Sequence, residues 1–436
     1  MSLALDPHFF RHEWGRLVAV LVRAFGVQNL NLAEDVAQET LWRAMEVWKR
    51  QGTPDNPSAW LTTTAKRLVI DELRRERSRQ LATPELGRLL ESEWTRVPVI
   101  EELFAPQPLR DDELRMMFSL SQPRLSEESR VSLVLHVLCG FRPEEIAAAF
   151  LTSTDAVAKR LQRAKALVAA SRSLFELTDA DLEPRLESVQ QALYLLFNEG
   201  YHGANPEAAV REELCGEALR LVELLTGHPL TRTPSTLALS ALLHLHAARL
   251  QARLNAEGEL LPFSEQDRSK WNHALIDKGL QLLEQSATGP SLSAMHLQAA
   301  IAACHATAAS AKDTPWAHIV SLYDTMMRLH PSPVVALNRA IAVAEAEGPR
   351  QGLCELRAIE GADSFSRYPF YEAAFGELSL RAGDATEAAV HFKAAMAVAR
   401  NPMEQRFYEA RLTAARQLEA IGRGDSTPAN SLEDNP

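Results

Sequence analysis

The sequence predicts an all-α protein in which two small helical domains, the second containing a helix-turn-helix, precede an α-solenoid-like domain of helical hairpins. Apolar residues recur three and four positions apart along most of the chain, which is the spacing of amphipathic helices. Basic residues are concentrated on two of the early helices, whereas the later helices are rich in alanine and leucine. A length of 436 residues, of which 46% are hydrophobic, fits two or three domains with cores of their own.

The helix-turn-helix is predicted between Leu125 and Lys165. Five apolar residues fall at helical spacing on its two helices: Ile146, Ala147, Phe150, Val157 and Leu161. Ser153 or Thr154 stands where the second helix needs a cap. The exposed side of that helix would carry Lys159, Arg160, Arg163 and Lys165. Such a helix enters the major groove of DNA, although an ordinary helical hairpin with a solvated basic face shows the same pattern.

Two further amphipathic helices precede this motif. The segment from Ala33 to Trp48 has its apolar residues on one side and its acidic and amide residues on another. The segment from Asn56 to Arg79 starts with a proline and becomes basic toward its end, where it carries Lys66, Arg67, Arg74, Arg75, Arg77 and Arg79. Basic clusters of this kind favour contact with nucleic-acid phosphates.

In their order and separation, these three blocks resemble those of the extracytoplasmic-function sigma factors of bacteria. The resemblance implies that the acidic helix binds the clamp helices of core RNA polymerase through Asp35, Gln38 and Glu39. It implies that the next helix meets the −10 promoter element through Trp60, Lys66, Arg67, Asp71, Arg74 and Arg75. It also implies that the helix-turn-helix faces the −35 element through Thr154, Asp155, Lys159, Arg160 and Arg163.

Five regions follow from this interpretation. Residues 1–80 would bind core polymerase and the −10 element, 81–124 would form an acidic, proline-containing linker, and 125–172 would hold the helix-turn-helix. Residues 173–422 would form a tetratricopeptide-like regulatory extension, and 423–436 a disordered tail. Within the linker, one short helix is predicted from Asp111 to Leu120.

The extension shows one clear repeat near its end. Small residues there would let two antiparallel helices approach closely, and large residues would fill the space between them. The residues at this tetratricopeptide spacing are Phe375, Gly376, Ala388, Phe392 and Ala395. The turn at Gly348 precedes the turn at Gly383 by 35 residues, close to the expected period of about 34. Three other segments, which begin at Tyr194, Leu260 and Thr314, resemble blocks of the sigma-factor subgroup with a C-terminal tetratricopeptide-like extension.

Seven polar and aromatic residues in these blocks are candidates for a regulatory site: Asn198, Glu199, Tyr201, Gln266, Asp267, Arg268 and Trp271. They would form a ligand pocket or a contact surface for the sigma domains. The alternative is structural, since such residues also cap helices and fix irregular connections through buried hydrogen bonds. The sequence leaves both interpretations open.

Charge and cysteine content limit the classes of function. The first 172 residues carry a net charge of +1 and the remainder −12, so the extension is not expected to bind DNA. Four scattered cysteines, without metal-ligand spacing, indicate reduced thiols, and no export signal or membrane-spanning run is recognisable, so a cytoplasmic protein is expected. No catalytic motif, metal or cofactor is predicted, and the protein is not expected to be an enzyme.

The predicted function is therefore that of an alternative sigma factor that recruits core RNA polymerase to promoter DNA. The extension is expected to control it in cis, through an intramolecular contact with the sigma domains. One alternative is a helix-turn-helix regulator with a helical ligand-sensing domain, which would leave the two earlier helices without a task. Another is a tetratricopeptide scaffold whose N-terminal part merely packs, in which case charge reversal at Arg74 or Arg163 would have no effect.

Overall fold

A computed structural model places 18 α-helices and no β-strand in the described residues, which confirms the predicted all-α class. The structure describes residues 7–25, 29–80, 108–150, 152–170, 179–202, 210–255, 261, 263–289, 291–366, 368–399 and 402–424. The chain divides into two compact units. The first unit comprises Met1–Gly203 and Val210–Leu243, and the second comprises Ala204–Ala209 and His244–Pro436.

Three helices open the first unit: α1 (Pro7–Phe25), α2 (Leu30–Gln51) and α3 (Pro57–Gln80). The middle of α1 is buried throughout, because residues 17–22 are all 3% exposed or less. An aromatic cluster joins the three helices, with the ring centroids of Phe10 and Trp48 at 5.9 Å and those of Trp48 and Trp60 at 5.4 Å. These contacts explain how α3 is held against α1 and α2.

The predicted linker helix is present as α4 (Pro108–Leu120) and begins three residues earlier than expected. The next helix, α5 (Glu127–Leu133), continues into a π-helical turn over Val134–Leu138. Carbonyl oxygens at the end of this turn accept hydrogen bonds from α1. Trp14 Nε1 donates to Val137 O at 3.0 Å, and Arg11 Nη1 donates to Cys139 O at 3.0 Å.

The helix-turn-helix is formed by α6 (Pro143–Ala149) and α7 (Thr154–Ala169). Four of the five apolar residues predicted to pack there are buried and Phe150 is half-buried; the buried ones are Ile146, Ala147, Val157 and Leu161. Ser153 is the cap of α7, since its Oγ accepts a hydrogen bond from the Ala156 amide at 3.3 Å. The turn therefore ends where the sequence places a capping hydroxyl.

The first hairpin after the helix-turn-helix is also part of the first unit. It consists of α8 (Asp179–His202) and α9 (Glu212–Gly227), and α10 (Pro234–Ala247) follows it. Its apolar face packs on α1, α4 and α5. The extension was predicted to begin at residue 173, whereas the first compact unit continues to Leu243. The two boundaries therefore do not coincide.

The second unit is a succession of helical hairpins: α11 (His273–Ser286), α12 (Ala294–Thr307), α13 (Trp316–Leu329), α14 (Pro333–Glu347), α15 (Pro349–Arg357), α16 (Pro369–Arg381), α17 (Ala385–Ala397) and α18 (Pro402–Gly424). Gly376 allows α16 to lie close to α17, because a Cβ there would be 2.8 Å from the Phe392 ring. The turn between these helices uses Gly383 at φ +88°, a conformation that favours glycine.

Two predicted regions lie mainly outside the described residues: the linker over residues 81–107 and the tail from residue 425 onward. Among the helices that the structure describes, none is sufficiently long and apolar to span a bilayer.

Candidate nucleic-acid interface

The outer face of α2 carries the residues predicted to bind polymerase. Asp35 and Gln38 are exposed, and the half-buried Glu39 accepts a hydrogen bond from Arg43 Nε at 2.7 Å. Seven residues on the inner face are buried: Leu30, Ala33, Val36, Ala37, Thr40, Ala44 and Trp48. The acidic block therefore lies away from the core and is accessible to a partner.

Two large apolar side chains continue this face along α2. Trp42 is 54% exposed and Met45 is 44% exposed. They follow Gln38 by four and seven positions, so the three residues share one side of the helix. Sequence reasoning did not assign Trp42 and Met45 to the polymerase-binding face, although their spacing from Gln38 was the available signal. Exposed tryptophan and methionine side chains are enriched in protein interfaces.

Trp60, the first residue predicted at the −10 element, has a packing partner. Its half-buried ring meets that of Trp48 edge-on, with an interplanar angle of 66°. Asn56 starts this helix, since its Oδ1 accepts a hydrogen bond from the Ala59 amide at 3.0 Å. The Trp60 ring therefore helps to hold α3 against α2.

The basic part of α3 follows a buried stripe of Leu61, Ala65 and Val69. Lys66 is half-buried beside this stripe, whereas Arg67 and Asp71 are exposed. Arg74 and Arg75 lie on the same helix, but their side chains fall outside the described residues. Within the described part, α3 thus presents Arg67 and Asp71 to solvent.

On α7, four of the five residues predicted at the −35 element are exposed: Thr154, Asp155, Lys159 and Arg163. Arg160 differs from them because it is half-buried. Its Nη2 donates to Glu128 Oε2 at 2.6 Å, and its guanidinium lies 5.5 Å from the centroid of the Phe150 ring. Arg160 therefore ties α7 to α5, while its four neighbours are open to solvent.

The far end of α7 contacts the start of α2. Lys165 Nζ donates to Glu34 Oε2 at 2.6 Å, and His136 Nε2 lies 3.9 Å from Glu34 Oε1. Burial and the charge of Lys165 lower the pKa of His136. A cavity of about 480 Å³ lies beside this contact, and its lining includes Leu30, His136 and Lys165. The helix-turn-helix and the acidic helix are therefore directly connected.

Of the seven regulatory candidates, three lie in the first unit, on α8. Glu199 and Tyr201 are 7% and 4% exposed, and Asn198 is half-buried. The Tyr201 ring stacks on that of Phe197, with centroids 5.6 Å apart. Tyr201 and Glu199 thus belong to the interior of the α8–α9 hairpin.

The α8–α9 hairpin also carries a buried charge cluster that sequence reasoning missed. Arg220 on α9 donates to Glu113 of α4, at 2.8 and 3.3 Å, and to Glu217 of its own helix, at 2.7 and 3.0 Å. Both carboxylates are almost inaccessible, at 3% and 1% exposure. Burial raises the pKa of Glu113 despite the adjacent Arg220, and the two carboxylates raise the pKa of Arg220 despite its burial.

Two further arginines join this hairpin to the preceding helices. Arg211, at the start of α9, donates from Nη1 to Glu145 Oε1 on α6 at 2.7 Å. Glu145 also lies 3.8 Å from Arg11 Nη2 on α1. Burial tends to raise the Glu145 pKa, but the Arg142 amide and the two arginines lower it overall. Arg185 on α8 donates to the Phe118 carbonyl of α4 at 3.0 Å.

The other four regulatory candidates lie in the second unit, around the loop before α11. Gln266 is buried and accepts hydrogen bonds from Arg249, at 3.1 and 3.3 Å. Asp267 is exposed and accepts a hydrogen bond from the Ser269 amide. It therefore caps the short 3₁₀ turn Arg268–Lys270. Arg268 and Trp271 pack together, with the guanidinium 4.6 Å from the centroid of the indole ring. The structure therefore separates the seven candidates into two groups.

Two histidines of the second unit make its stability sensitive to acid. Burial lowers the pKa of His246 to about 3 and that of His305 to about 4, helped by nearby arginines. The unfolded chain takes up these protons below about pH 6.5, whereas the folded chain does not, so stability falls as pH decreases.

We expect His305→Gln to reduce the stability lost between pH 7 and pH 5 by about 1–2 kcal/mol in urea unfolding. The exposed His318→Gln is the matched control, and equal slopes in both variants would contradict this expectation.

Comparison with known protein families agrees with this arrangement. Residues 10–79 match the family described as Sigma-70 region 2, and residues 123–168 match the family described as Sigma-70, region 4. The chain therefore contains two regions of the sigma-70 family. Residues 185–287 match a family of unknown function, DUF6596. The two sigma regions contain the acidic helix, the basic helix α3 and the helix-turn-helix.

Two relatives are similar to this chain over different lengths. An uncharacterized protein of Rhizobium meliloti (strain 1021) is 37% identical over 396 residues, which cover 91% of this chain and 92% of that protein. The ECF RNA polymerase sigma factor SigJ of Mycobacterium tuberculosis is 31% identical over 150 residues, covering 33% of this chain and 44% of that protein. No solved structure matches the chain.

Proposed function

We propose that the protein is an alternative sigma factor that recruits core RNA polymerase to specific promoters, and that its extension controls this activity in cis. The observation that carries the proposal is the presence of both sigma-70 regions in one chain, in the order that promoter recognition requires. A helix-turn-helix alone would fit an ordinary regulator equally well. Because transcription takes place in the bacterial cytoplasm, the protein would act there.

The polymerase-binding surface would be the exposed face of α2. Asp35, Gln38 and Glu39 supply carboxylates and an amide, and Trp42 adds the largest exposed apolar side chain of this helix. An interface of this kind combines one aromatic anchor with a polar rim. This proposal is supported by the burial of the opposite face of α2, which directs Asp35, Gln38 and Trp42 away from the core.

Trp42→Ala is expected to weaken binding to core polymerase by about 2 kcal/mol, or roughly thirtyfold, because it removes an aromatic anchor. Folding should be unaffected, since the side chain is 54% exposed. Affinity is to be measured by fluorescence titration of the labelled sigma factor with core polymerase. Val390→Ala, which truncates a side chain that is 62% exposed in the second unit, is the control. If the two variants bind core polymerase with equal affinity, Trp42 is not part of the polymerase-binding surface.

Promoter DNA would be bound by α3 and α7. We assign the −10 element to Trp60, Lys66, Arg67, Asp71, Arg74 and Arg75, and the −35 element to Thr154, Asp155, Lys159, Arg160 and Arg163. The exposed side of α7 supports this, because its polar and basic residues face solvent together. Arg160 would act mainly by positioning α7, since its guanidinium already contacts Glu128.

Lys159→Ala is expected to weaken binding of the polymerase holoenzyme to all promoters by a similar factor and to reduce the slope of log affinity against log salt by about 1. The physical reason is the loss of one phosphate contact from an exposed lysine. Binding should be measured at several salt concentrations on two promoters. A change of preference between promoters with an unchanged salt slope would instead make Lys159 a base-reading residue.

Control in cis would operate through the α8–α9 hairpin. This hairpin carries Arg220, Arg211 and Arg185, whose partners lie on α4 and α6, between and within the two sigma regions. Each contact links the extension to a helix next to the DNA-binding regions, so a change in the hairpin would act on those regions directly. The seven regulatory candidates then divide into a hairpin group, at residues 198–201, and a second group in the second unit, at residues 266–271.

Run-off transcription with core polymerase tests the proposal directly. Templates should include the upstream region of the gene that encodes the protein. We expect specific transcripts from the full chain and none from Arg163→Glu, which reverses an exposed charge on α7. Exposed Arg350→Glu in the second unit is the matched control. Absence of transcripts and of co-elution with core polymerase, together with promoter binding by the protein alone, would favour the helix-turn-helix regulator.

A further inference from the structure

One turn of α1, Arg11–Trp14, contacts four other parts of the first unit, and we call it the junction turn. Successive side chains of a helix point about 100° apart, so these four residues face different neighbours. Their partners lie on α6 of the helix-turn-helix, on α9 of the hairpin, at the start of α3 and in the π-helical turn. Sequence reasoning singled out none of the four. One turn of helix therefore lies between the hairpin and both DNA-binding parts.

Glu13 connects the junction turn to the start of α3. The Ser58 hydroxyl, in the first turn of α3, donates to Glu13 Oε1 at 2.6 Å, and Arg16 Nη1 donates to the same oxygen at 3.3 Å. Glu13 is only 1% exposed, and its Oε2 has no hydrogen-bond partner in the described part of the chain. A carboxylate beside the first turn of a helix is favoured by the positive end of the helix dipole. Glu13 therefore helps to fix where the proposed −10 helix begins.

His12 connects the same turn to the hairpin. Its Nδ1 lies 3.8 Å from Glu217 Oε2 of α9 and makes no hydrogen bond to any residue that the structure describes. Burial and the charge of Arg220 lower the pKa of His12, while the charges of Glu217 and Glu13 act in the opposite direction. The His12 ring therefore interacts with the hairpin and with Glu13 at once.

Arg11 connects the junction turn to the helix-turn-helix. Its Nη2 lies 3.8 Å from Glu145 Oε1 on α6, and the same oxygen accepts a hydrogen bond from Arg211 Nη1 of α9 at 2.7 Å. Two cations, one from α1 and one from the hairpin, thus share one carboxylate of the helix-turn-helix. A displacement of Arg211 would therefore change the contact between Glu145 and Arg11.

The junction turn is also held close to the π-helical turn that precedes the helix-turn-helix. Trp14 Nε1 donates to the Val137 carbonyl at 3.0 Å. The next residue is Gly15, where a Cβ would lie 2.3 Å from the Leu138 carbonyl oxygen. Glycine inside a helix is destabilising, and this close approach is a physical reason for it. Little space is therefore left in which α1 could move independently of its neighbours.

We propose that the junction turn couples the α8–α9 hairpin to the two DNA-binding parts by separate routes. On the first route, Glu217 acts on α3 through His12 and Glu13. On the second route, Arg211 acts on α6 through Glu145, which Arg11 also holds. The proposal rests on the proposed function only where it calls α3 and the helix-turn-helix DNA-binding; the contacts themselves belong to the free chain. Adjacent contacts alone do not demonstrate coupling, which requires a measured interaction between the sites.

Hydrogen exchange of the free full chain tests the two routes separately. Glu217→Gln should speed exchange of the amides at residues 60–64 of α3 relative to those at residues 146–150 of α6, and Arg211→Gln should do the opposite. The ratio of the two rates should change about tenfold in each case, which corresponds to about 1.4 kcal/mol. A general loss of stability would speed both segments alike, so the ratio reports the route.

Glu212→Gln is the matched control, because it neutralises an exposed carboxylate on α9 and should leave the ratio unchanged. Combining Glu217→Gln with Ser58→Ala should change exchange at α3 by at least about threefold less than the product of the single effects, since both interrupt the same route. If either hairpin variant proves unfolded by circular dichroism, His12→Gln replaces Glu217→Gln and Arg11→Gln replaces Arg211→Gln, with the same selectivity expected. Equal acceleration of the two segments, or acceleration of neither, would overturn the proposal.

Promoter binding separates this proposal from the proposed function. The same variants, each with core polymerase, should be titrated with two duplexes that retain only the −10 or only the −35 half of a promoter identified by run-off transcription. We expect Glu217→Gln to weaken binding of the −10 duplex and Arg211→Gln to weaken binding of the −35 duplex. Selective hydrogen exchange without selective loss of DNA binding would support the junction turn and would contradict the assignment of α3 and α7 to promoter DNA.

Discussion

Arg220→Met is expected to lower the free energy of unfolding of the first unit by about 3–5 kcal/mol, the largest effect of any single substitution proposed here. Arg220 holds Glu113 and Glu217 through four hydrogen bonds, and neither carboxylate is more than 3% exposed. Without the guanidinium, two like charges would remain buried side by side. Burial already raises the pKa of Glu113, so the loss should be smaller at lower pH, where the carboxyls become protonated.

The measurement is urea unfolding of the full chain, with hydrogen exchange used to assign the transition to the first unit. Arg50→Met is the control, because it removes an ion pair with Glu46 whose arginine side chain is 77% exposed. That change should cost about 0.5 kcal/mol or less. Combining Arg220→Met with Glu113→Gln and Glu217→Gln should restore part of the stability. Similar losses for Arg220→Met and Arg50→Met would show that the buried cluster does not stabilise the unit.

Removing the α8–α9 hairpin is expected to lower the free energy of unfolding of the first unit by a similar amount. A fragment ending at Arg172 lacks the hairpin, and it should be at least about 3 kcal/mol less stable than a fragment ending at Ala247. Residues 116–120 of α4 are fully buried, and the hairpin packs on this helix. Uncovering two buried side chains of leucine or methionine size costs about 3–6 kcal/mol.

Thermal and urea unfolding of the two fragments provide the comparison. The longer fragment contains the whole described part of the first unit and ends with α10, so it should unfold cooperatively. The shorter one should also bind more of a hydrophobic dye, because the covering helices are missing. If the two fragments unfold at the same urea concentration, the hairpin is dispensable for the sigma regions and control in cis through it would lose its physical basis.

The role of the extension has to be tested separately for the α8–α9 hairpin and for the second unit. A cut near residue 172 removes regulatory contacts and structural support together, so a loss of transcription would have two causes. A cut after α10 removes only the second unit. Comparing the full chain with the longer fragment in run-off transcription therefore reports on the second unit, and comparing Arg211→Gln with the intact protein reports on the hairpin.

Much of the local structure could be predicted from the sequence because it depends on neighbours along the chain. The helix-turn-helix, its serine cap and its buried apolar residues follow from three- and four-residue spacing. The small-and-large pair of Gly376 and Phe392 was recognisable for the same reason. The α4 helix was predicted to within three residues at its start.

Contacts between residues far apart in the chain could not be predicted in this way. Lys165 was read as one of several exposed basic residues, yet it is bonded to Glu34, 131 positions earlier. The contact between Arg220 and Glu113 could not be foreseen either, because these residues are 107 positions apart, whereas Glu217 is only three positions from Arg220. Periodicity identifies which side of a helix is apolar, but it does not identify the helix that will cover that side.

The sequence by itself therefore determined the all-α class, the order of the sigma regions and the buried sides of α2 and α7, because each depends on short-range spacing and side-chain chemistry. Only the tertiary structure decided that the first hairpin of the extension packs with the sigma regions and that the regulatory candidates form two groups. It also decided that one turn of α1 contacts α3, α6 and α9. Those features depend on pairing between distant segments, which folding selects by burial and charge compensation and which local patterns do not encode.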